Sequence, residues 1–163
     1  MKKLSSTTLI FVFFLFISNG IQGQTKQLNQ LELQKQYTGT WQANVGKDTV
    51  EIWEIRQYGK ASIINVSHVI KGQKTPYYVN NLGFDSKADK FKGYSLRPDG
   101  TFITWIGFYS SEKKFLVDLV DNFNPEKVTY KFEMVYTNPK EGIWTGYNTG
   151  GVKTSELKFV KVK

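Results

Sequence analysis

Cysteine is absent from the 163-residue chain, which excludes disulfides, thiolate metal sites and cysteine nucleophiles. Histidine occurs once, at His68, and this excludes any site that needs two histidines, including most zinc sites. Arginine occurs only as Arg56 and Arg97, although 22 basic residues stand against 14 acidic ones. The lysines are scattered among the acidic residues and form no basic stripe, so we interpret the charge of +8 as a solvated outer surface. We therefore expect no nucleic-acid partner.

The N-terminus has the three-part layout of a secretory signal peptide. Lys2 and Lys3 are basic, residues 9–17 are wholly apolar, and Gly23 is a small residue at a position suited to cleavage. A membrane-spanning helix needs about 20 apolar residues, roughly twice the length of this run. The sequence therefore predicts a signal peptide over residues 1–23, no membrane span, and export to the periplasm or the extracellular medium.

Residues 24–36 are polar with spaced leucines, which predicts an N-terminal segment containing a short amphipathic helix. From Tyr37 onward, β-branched and aromatic residues dominate in short runs that are separated by Gly, Asn, Asp and Pro, the pattern of strands and turns. The predicted strands are residues 39–45, 49–57, 61–70, 77–85, 90–96, 102–109, 114–121, 127–136, 141–147 and 156–162.

Short connections and the lack of a second helical pattern favour antiparallel hairpins. Such a sheet has to hide its edges, and closure into a barrel does this completely, whereas a two-layer sandwich is the alternative. We predict one all-β domain over residues 37–163, an antiparallel up-and-down β-barrel of about 8–10 strands, preceded by the short helix.

Alternating side chains predict which residues face the interior. In residues 128–136 one face is apolar and the other polar. The apolar face carries Val128, Tyr130, Phe132, Met134 and Tyr136. In residues 61–70 the apolar face carries Ile64, Val66, His68 and Ile70. We therefore take His68, Tyr130, Phe132 and Met134 as candidate ligand-binding residues of the barrel interior.

Two polar residues have open interpretations. His68 on an apolar face suits an axial haem ligand, a general base or a residue of the core, and the structural role is favoured, so no cofactor is predicted. Arg56 would bind a ligand carboxylate if it faces inward with Glu54 as its partner. If Glu51 and Trp53 face inward instead, Arg56 is an ordinary exposed residue.

The strand at residues 102–108 is apolar on both faces. Its outer face is covered either by another part of the chain or by a partner, which includes a second copy of the protein. Catalysis has less support: no Gly-x-Ser-x-Gly elbow is present, and Glu51 and Glu54 point to opposite faces of one strand. We predict no catalytic residues and no metal site.

The segment Tyr37-Thr38-Gly39-Thr40-Trp41 follows the predicted helix and begins the first strand. With Gly83-Phe84-Asp85, Asp99-Gly100-Thr101 and Trp105-x-Gly107, it resembles the lipocalin, or calycin, pattern, and in particular bacterial secreted lipocalin-like domains of unassigned function. The haem-binding nitrobindin-like barrels are similar in layout. The last strand departs from the lipocalin pattern, because Lys158 and Lys161 stand where that pattern has an arginine facing the tryptophan.

Gly39 and Trp41 also have a physical interpretation that is independent of any family. Glycine allows the entering chain to pack closely, and a tryptophan plugs one end of a barrel while its N–H binds a carbonyl. The sequence as a whole predicts a barrel that binds a hydrophobic or amphipathic small molecule. The alternative is a structural barrel with a filled core that oligomerises or binds a protein, and an enzyme that uses the barrel mouth is the least supported.

Overall fold

The structure, a computed structural model, describes residues 27–163. The predicted signal peptide and the first residues of the predicted N-terminal segment lie outside the described residues. One helix, α1 (Gln30–Lys35), precedes ten strands, and a 3-10 turn at Asp121–Phe123 lies between the seventh and the eighth. The strands are β1 (Gly39–Gly46), β2 (Thr49–Tyr58), β3 (Ala61–Ile70), β4 (Gln73–Asp85), β5 (Lys90–Leu96), β6 (Phe102–Ser111), β7 (Lys114–Val120), β8 (Val128–Asn138), β9 (Glu141–Tyr147) and β10 (Lys153–Lys161).

Each strand pairs antiparallel with its neighbours in the chain, and β1 pairs with β10, so the sheet is a closed up-and-down barrel. The predicted fold class is confirmed. The largest differences in strand bounds are at β4, which begins at Gln73, and at β10, which begins at Lys153. Both extensions are polar and exposed, and they are strands because their backbones continue the pairing with β3 and β9.

Gly39 lies at the seam where the barrel closes. Thr40 donates its backbone N–H to the carbonyl of Lys163 at 2.8 Å, which brings the C-terminus against the start of β1. Gly39 has a φ of 128°, and a Cβ built on it would lie 2.2 Å from the carbonyl oxygen of Lys163. Only glycine combines this backbone conformation with so close an approach.

Helix α1 covers one end of the barrel. The Gln30 side-chain amide donates to the carbonyl of Tyr109 at 3.0 Å and accepts from its N–H at 2.7 Å. The Tyr109 hydroxyl donates to Oε1 of Gln34 at 2.9 Å. Both glutamines are buried, so their hydrogen bonds fix the helix to the end of β6.

Three tyrosines and one tryptophan fill the space beneath α1. The ring of Tyr37 stacks on Tyr136, with centroids 3.4 Å apart, and lies nearly parallel to Tyr109 at 5.6 Å. Trp41 is fully buried and donates its indole N–H to the Tyr37 carbonyl at 2.9 Å. This end of the barrel is therefore closed by packed aromatic rings, with Trp41 as the plug.

The apolar outer face of β6 is covered largely by the protein's own chain. Thr104 is buried beneath the 3-10 turn, and its hydroxyl accepts from the N–H of Phe123 at 3.1 Å. Nζ of Lys90 lies 5.1 Å from the ring centroid of Phe108. Phe102 remains 65% exposed. Cover by another part of the chain, one of the two predicted alternatives for this strand, is observed at Thr104 and in part at Phe108.

Candidate functional site

The barrel interior contains a cavity of about 130 Å³. Its aromatic walls are Trp53, Trp105, Phe115, Phe132 and Trp144 together with the tyrosines Tyr37, Tyr78, Tyr109 and Tyr136. Its aliphatic walls are Ile55, Ile64, Leu82, Val117, Leu119 and Met134. Its polar lining includes Gln34, Tyr78, Asn80 and Ser95. A few polar groups on a largely apolar wall are typical of pockets for small molecules.

The volume of the cavity limits what it can contain. An engineered cavity of about 150 Å³ in another protein binds benzene, whereas drug-sized ligands occupy roughly 300–1,000 Å³. At about 130 Å³ this cavity is of similar size and matches a single six-membered ring.

Packed rings position the aromatic wall. Trp144 stacks on Phe132 with centroids 5.0 Å apart, and its edge meets Trp53 at 5.3 Å. Trp105 lies flat against Gly93, where an added Cβ would be only 2.4 Å from Cζ2 of the indole. Gly93 is therefore the residue that allows the Trp105 ring to lie back against the sheet instead of across the cavity.

Several polar groups of the lining have hydrogen-bonding atoms that lack a partner within residues 27–163. Oδ1 of Asn80 accepts from the Ser95 hydroxyl, and Oε1 of Gln34 accepts from Tyr109. The Tyr78 hydroxyl makes no hydrogen bond within residues 27–163. Burial raises the pKa of Tyr78 well above its usual value, and the nearby Glu51 carboxylate raises it further. Tyr78 is thus a neutral phenol with a proton to donate.

Glu51 lies at the end of the barrel opposite α1, which we call the mouth, and contacts two aromatic side chains there. Its side chain is only 9% exposed. Oε1 accepts from the indole N–H of Trp53 at 2.7 Å, and Oε2 lies 2.9 Å from Nε2 of His68. The His68 ring stacks on Tyr77 with centroids 4.1 Å apart. These contacts pair a buried carboxylate with two ring N–H groups, as a buried charge requires.

The sequence interpretation did not identify Glu51 or Tyr78 as site residues. Because side chains alternate along a strand, Glu51 shares one face of β2 with Trp53 and Ile55. This alternation identifies Glu51 as an interior residue only after the inner face of β2 is known. Tyr78 lies next to a register shift between β3 and β4 at Val66, where simple alternation no longer applies.

His68, Tyr130, Phe132 and Met134 lie on the inner face, but they do not form one site. Phe132 and Met134 line the cavity. Tyr130 pairs with Leu119 on the same face, but its hydroxyl contacts Thr154, away from the cavity lining. His68 lies at the mouth. Of these four candidates, therefore, only two are brought together around the cavity.

Arg56 requires a correction. It is exposed on the outer face of β2, opposite Ile63 of β3, while Glu51 and Trp53 point inward. The alternative in which Arg56 is an ordinary exposed residue is the one observed. The two faces of β2 carry similar numbers of apolar residues, and their pattern did not reveal which face is inner.

Haem does not fit this interior. Nε2 of His68 is within hydrogen-bond distance of Glu51, so this nitrogen is not free to bind iron. The cavity is also smaller than the pockets that hold drug-sized ligands, and a porphyrin is larger than most such ligands. Within residues 27–163, no group of three or more His, Asp or Glu side chains is arranged to hold a metal ion. The same part of the chain has no helix with the length and apolarity of a membrane crossing.

Comparison of the sequence with models of known protein families found no match, and neither did a search of curated protein sequences. The candidate site therefore has to be interpreted from its own geometry.

Proposed function

We propose that the barrel binds one small apolar or amphipathic molecule in its interior cavity and carries out no catalysis. The observation that carries this proposal is a largely apolar cavity of about 130 Å³ with aromatic walls inside the barrel. At about 24 cal/mol per Å³, an empty cavity of this size costs about 3 kcal/mol of stability. An occupant would offset that cost, since it restores contacts to the lining side chains.

Two further proposals concern the protein as a whole. We propose that it is a lipocalin-like, calycin-type domain of the bacterial secreted kind, supported by the closed ten-stranded barrel and by the Gly39–Trp41 opening. We also propose that it is exported and that its signal peptide is cleaved near Gly23. N-terminal sequencing of the protein from its own host tests export: a mature chain that still begins at Met1 would contradict it.

The binding proposal is tested first by native mass spectrometry of the protein purified from its own host, where a bound molecule adds a defined mass. It is tested second with a cavity-filling variant. Ile64→Phe extends a lining side chain into the cavity, and we expect it to weaken binding of toluene at least tenfold in an NMR titration. Ile63→Phe is the matched control, because Ile63 pairs with Arg56 on the outer face and should leave toluene binding unchanged. The proposal fails if the wild-type protein binds no small aromatic molecule.

The alternative of a barrel that oligomerises rests on one surface feature. Phe102 is 65% exposed and pairs with Leu96, which is 42% exposed, on the outer face near the mouth. Sedimentation velocity at micromolar concentration would show a dimer if this pair mediates self-association. In that case Phe102→Ser should restore the monomer, and a wild-type monomer at all concentrations would exclude this alternative.

A further inference from the structure

Resting on the proposed function, we infer that the cavity selects a neutral ligand that accepts hydrogen bonds, namely a small aromatic carbonyl compound, over a hydrocarbon of the same shape and over a carboxylate. The inference follows from the donors that the cavity offers, because two indole N–H groups, the side-chain amide N–H groups of Gln34 and Asn80, and the Tyr78 hydroxyl make no hydrogen bond within residues 27–163.

The tryptophan indoles supply the first part of the argument. Trp41 and Trp53 donate their N–H groups to the Tyr37 carbonyl and to Glu51. Trp105 and Trp144 both line the cavity, and their N–H groups make no hydrogen bond to any residue of the described chain. An indole N–H can only donate. Trp105 is 6% exposed, and because no inaccessible side-chain nitrogen or oxygen of the described residues lacks a partner, its unpaired N–H keeps some accessible surface.

The remaining polar groups point to the same chemistry. The amides of Gln34 and Asn80 already use their oxygens to accept from Tyr109 and Ser95, and this leaves their N–H groups without partners in residues 27–163. The Tyr78 hydroxyl holds its proton because burial disfavours the phenolate. A bound carbonyl oxygen would accept hydrogen bonds from these donors, whereas a bound hydrocarbon would cut them off from water and leave them unpaired.

The charges around the cavity favour a neutral ligand. No Lys, Arg, Asp or Glu is among the residues that line it. The negative charge of the Glu51 carboxylate disfavours ionisation of Tyr78, which lines the cavity. Arg97 acts on Tyr78 in the opposite sense, and it is the smallest of the contributions. An anionic ligand would therefore lose its hydration without gaining a cationic partner.

The test compares three probes by isothermal titration calorimetry with the mature protein. Acetophenone carries a carbonyl, α-methylstyrene has the same shape with a methylene in place of the oxygen, and benzoate carries a negative charge. We expect acetophenone to bind at least tenfold more tightly than α-methylstyrene, and benzoate to bind more weakly than either.

Trp105→Phe keeps an aromatic ring and removes the N–H, so it should reduce the preference for acetophenone to less than threefold while α-methylstyrene affinity stays within twofold. If Trp105→Phe does not fold, Trp144→Phe serves the same purpose on a partly exposed ring. Tyr58→Phe is the control, because it removes a donor from the outer surface and should change neither affinity.

The outcomes separate the two proposals. Equal affinity for acetophenone and α-methylstyrene would overturn the selectivity for acceptors while leaving small-molecule binding intact. Tightest binding of benzoate would overturn the requirement for a neutral ligand. A preference for acetophenone that persists in both tryptophan variants would overturn the role of the indole donors. If none of the three probes binds, the proposed function itself fails, and this inference fails with it.

Discussion

Nζ of Lys161 lies 5.7 Å from the ring centroid of Trp41, across the seam where β10 meets β1. The same ammonium group donates to the carbonyl of Gln36 at 3.2 Å, just before the first strand. Trp41 is therefore held by the Lys161 ammonium group at its ring and by the Tyr37 carbonyl at its N–H.

Lys161→Met should lower the free energy of unfolding by about 0.5–1.5 kcal/mol, because it removes the cation–π contact and one hydrogen bond while keeping most of the side-chain length. Urea unfolding measures the change. Lys158→Met is the matched control on the same strand: Lys158 is 66% exposed and lies 3.7 Å from Glu141, so its loss should cost less than about 0.5 kcal/mol. Equal effects of the two variants would show that the contact with Trp41 adds no stability.

Gly39→Ala should destabilise the barrel by at least about 2 kcal/mol, since alanine is strained at this positive φ and its Cβ would collide with the Lys163 carbonyl. Thermal unfolding followed by circular dichroism measures the loss. Gly83→Ala is the control within a strand, because Gly83 has an ordinary φ and a Cβ there meets nothing within 4 Å. A change of about 0.5 kcal/mol or less is expected for this control.

Glu51→Gln should cost about 1–3 kcal/mol of stability, because the amide lacks the charge of the carboxylate that accepts from the Trp53 indole, and it can pair with Nε2 of His68 only in the tautomer in which that nitrogen accepts. Glu54→Gln is the matched control on the outer face of the same strand, where the carboxylate pairs with Lys74 at 3.1 Å in partly exposed surroundings. It should cost less than about 1 kcal/mol. If the two variants are equally stable, the contacts of Glu51 at the mouth do not contribute to folding.

Stability should decrease as the pH rises above about 10. Burial raises the pKa of Tyr37, Tyr109 and Tyr136 above the value of about 10 that a tyrosine has in an unfolded chain. Above pH 10 the unfolded state therefore releases protons that the folded state keeps. The contribution of the three tyrosines to the free energy of unfolding is complete below pH 10 and is lost progressively above it. Urea unfolding at a series of pH values measures this slope.

Tyr109→Phe should make that slope shallower, because the variant has one fewer buried phenol to keep protonated. Its stability at neutral pH should also fall, since the hydrogen bond to Gln34 is lost. Tyr58→Phe, at an exposed position, should leave the slope unchanged. If the free energy of unfolding of the wild-type protein does not change between pH 9 and 12, burial does not raise the pKa of these tyrosines.

The antiparallel barrel could be predicted from the sequence because its signals are local. Alternation of apolar and polar residues in β8, and turn residues such as those of Arg97-Pro98-Asp99-Gly100, depend only on neighbours along the chain. Phe132 and Met134 were found in this way, and both line the cavity. The same reasoning misplaced Val128, because a bulge between Leu119 and Val120 pairs Val128 with Val120 and changes its face.

The sequence by itself determined the strands, their antiparallel order and the need to close the sheet, because backbone geometry and local side-chain pattern are sufficient for these. Only the tertiary structure decided which face of β2 is inner, and so that Glu51 lies inside and Arg56 outside. It also decided that a space of about 130 Å³ remains and that Trp105 and Trp144 line it. The physical reason is that such features arise where side chains from distant strands meet, and their packing depends on the register and closure of the whole barrel.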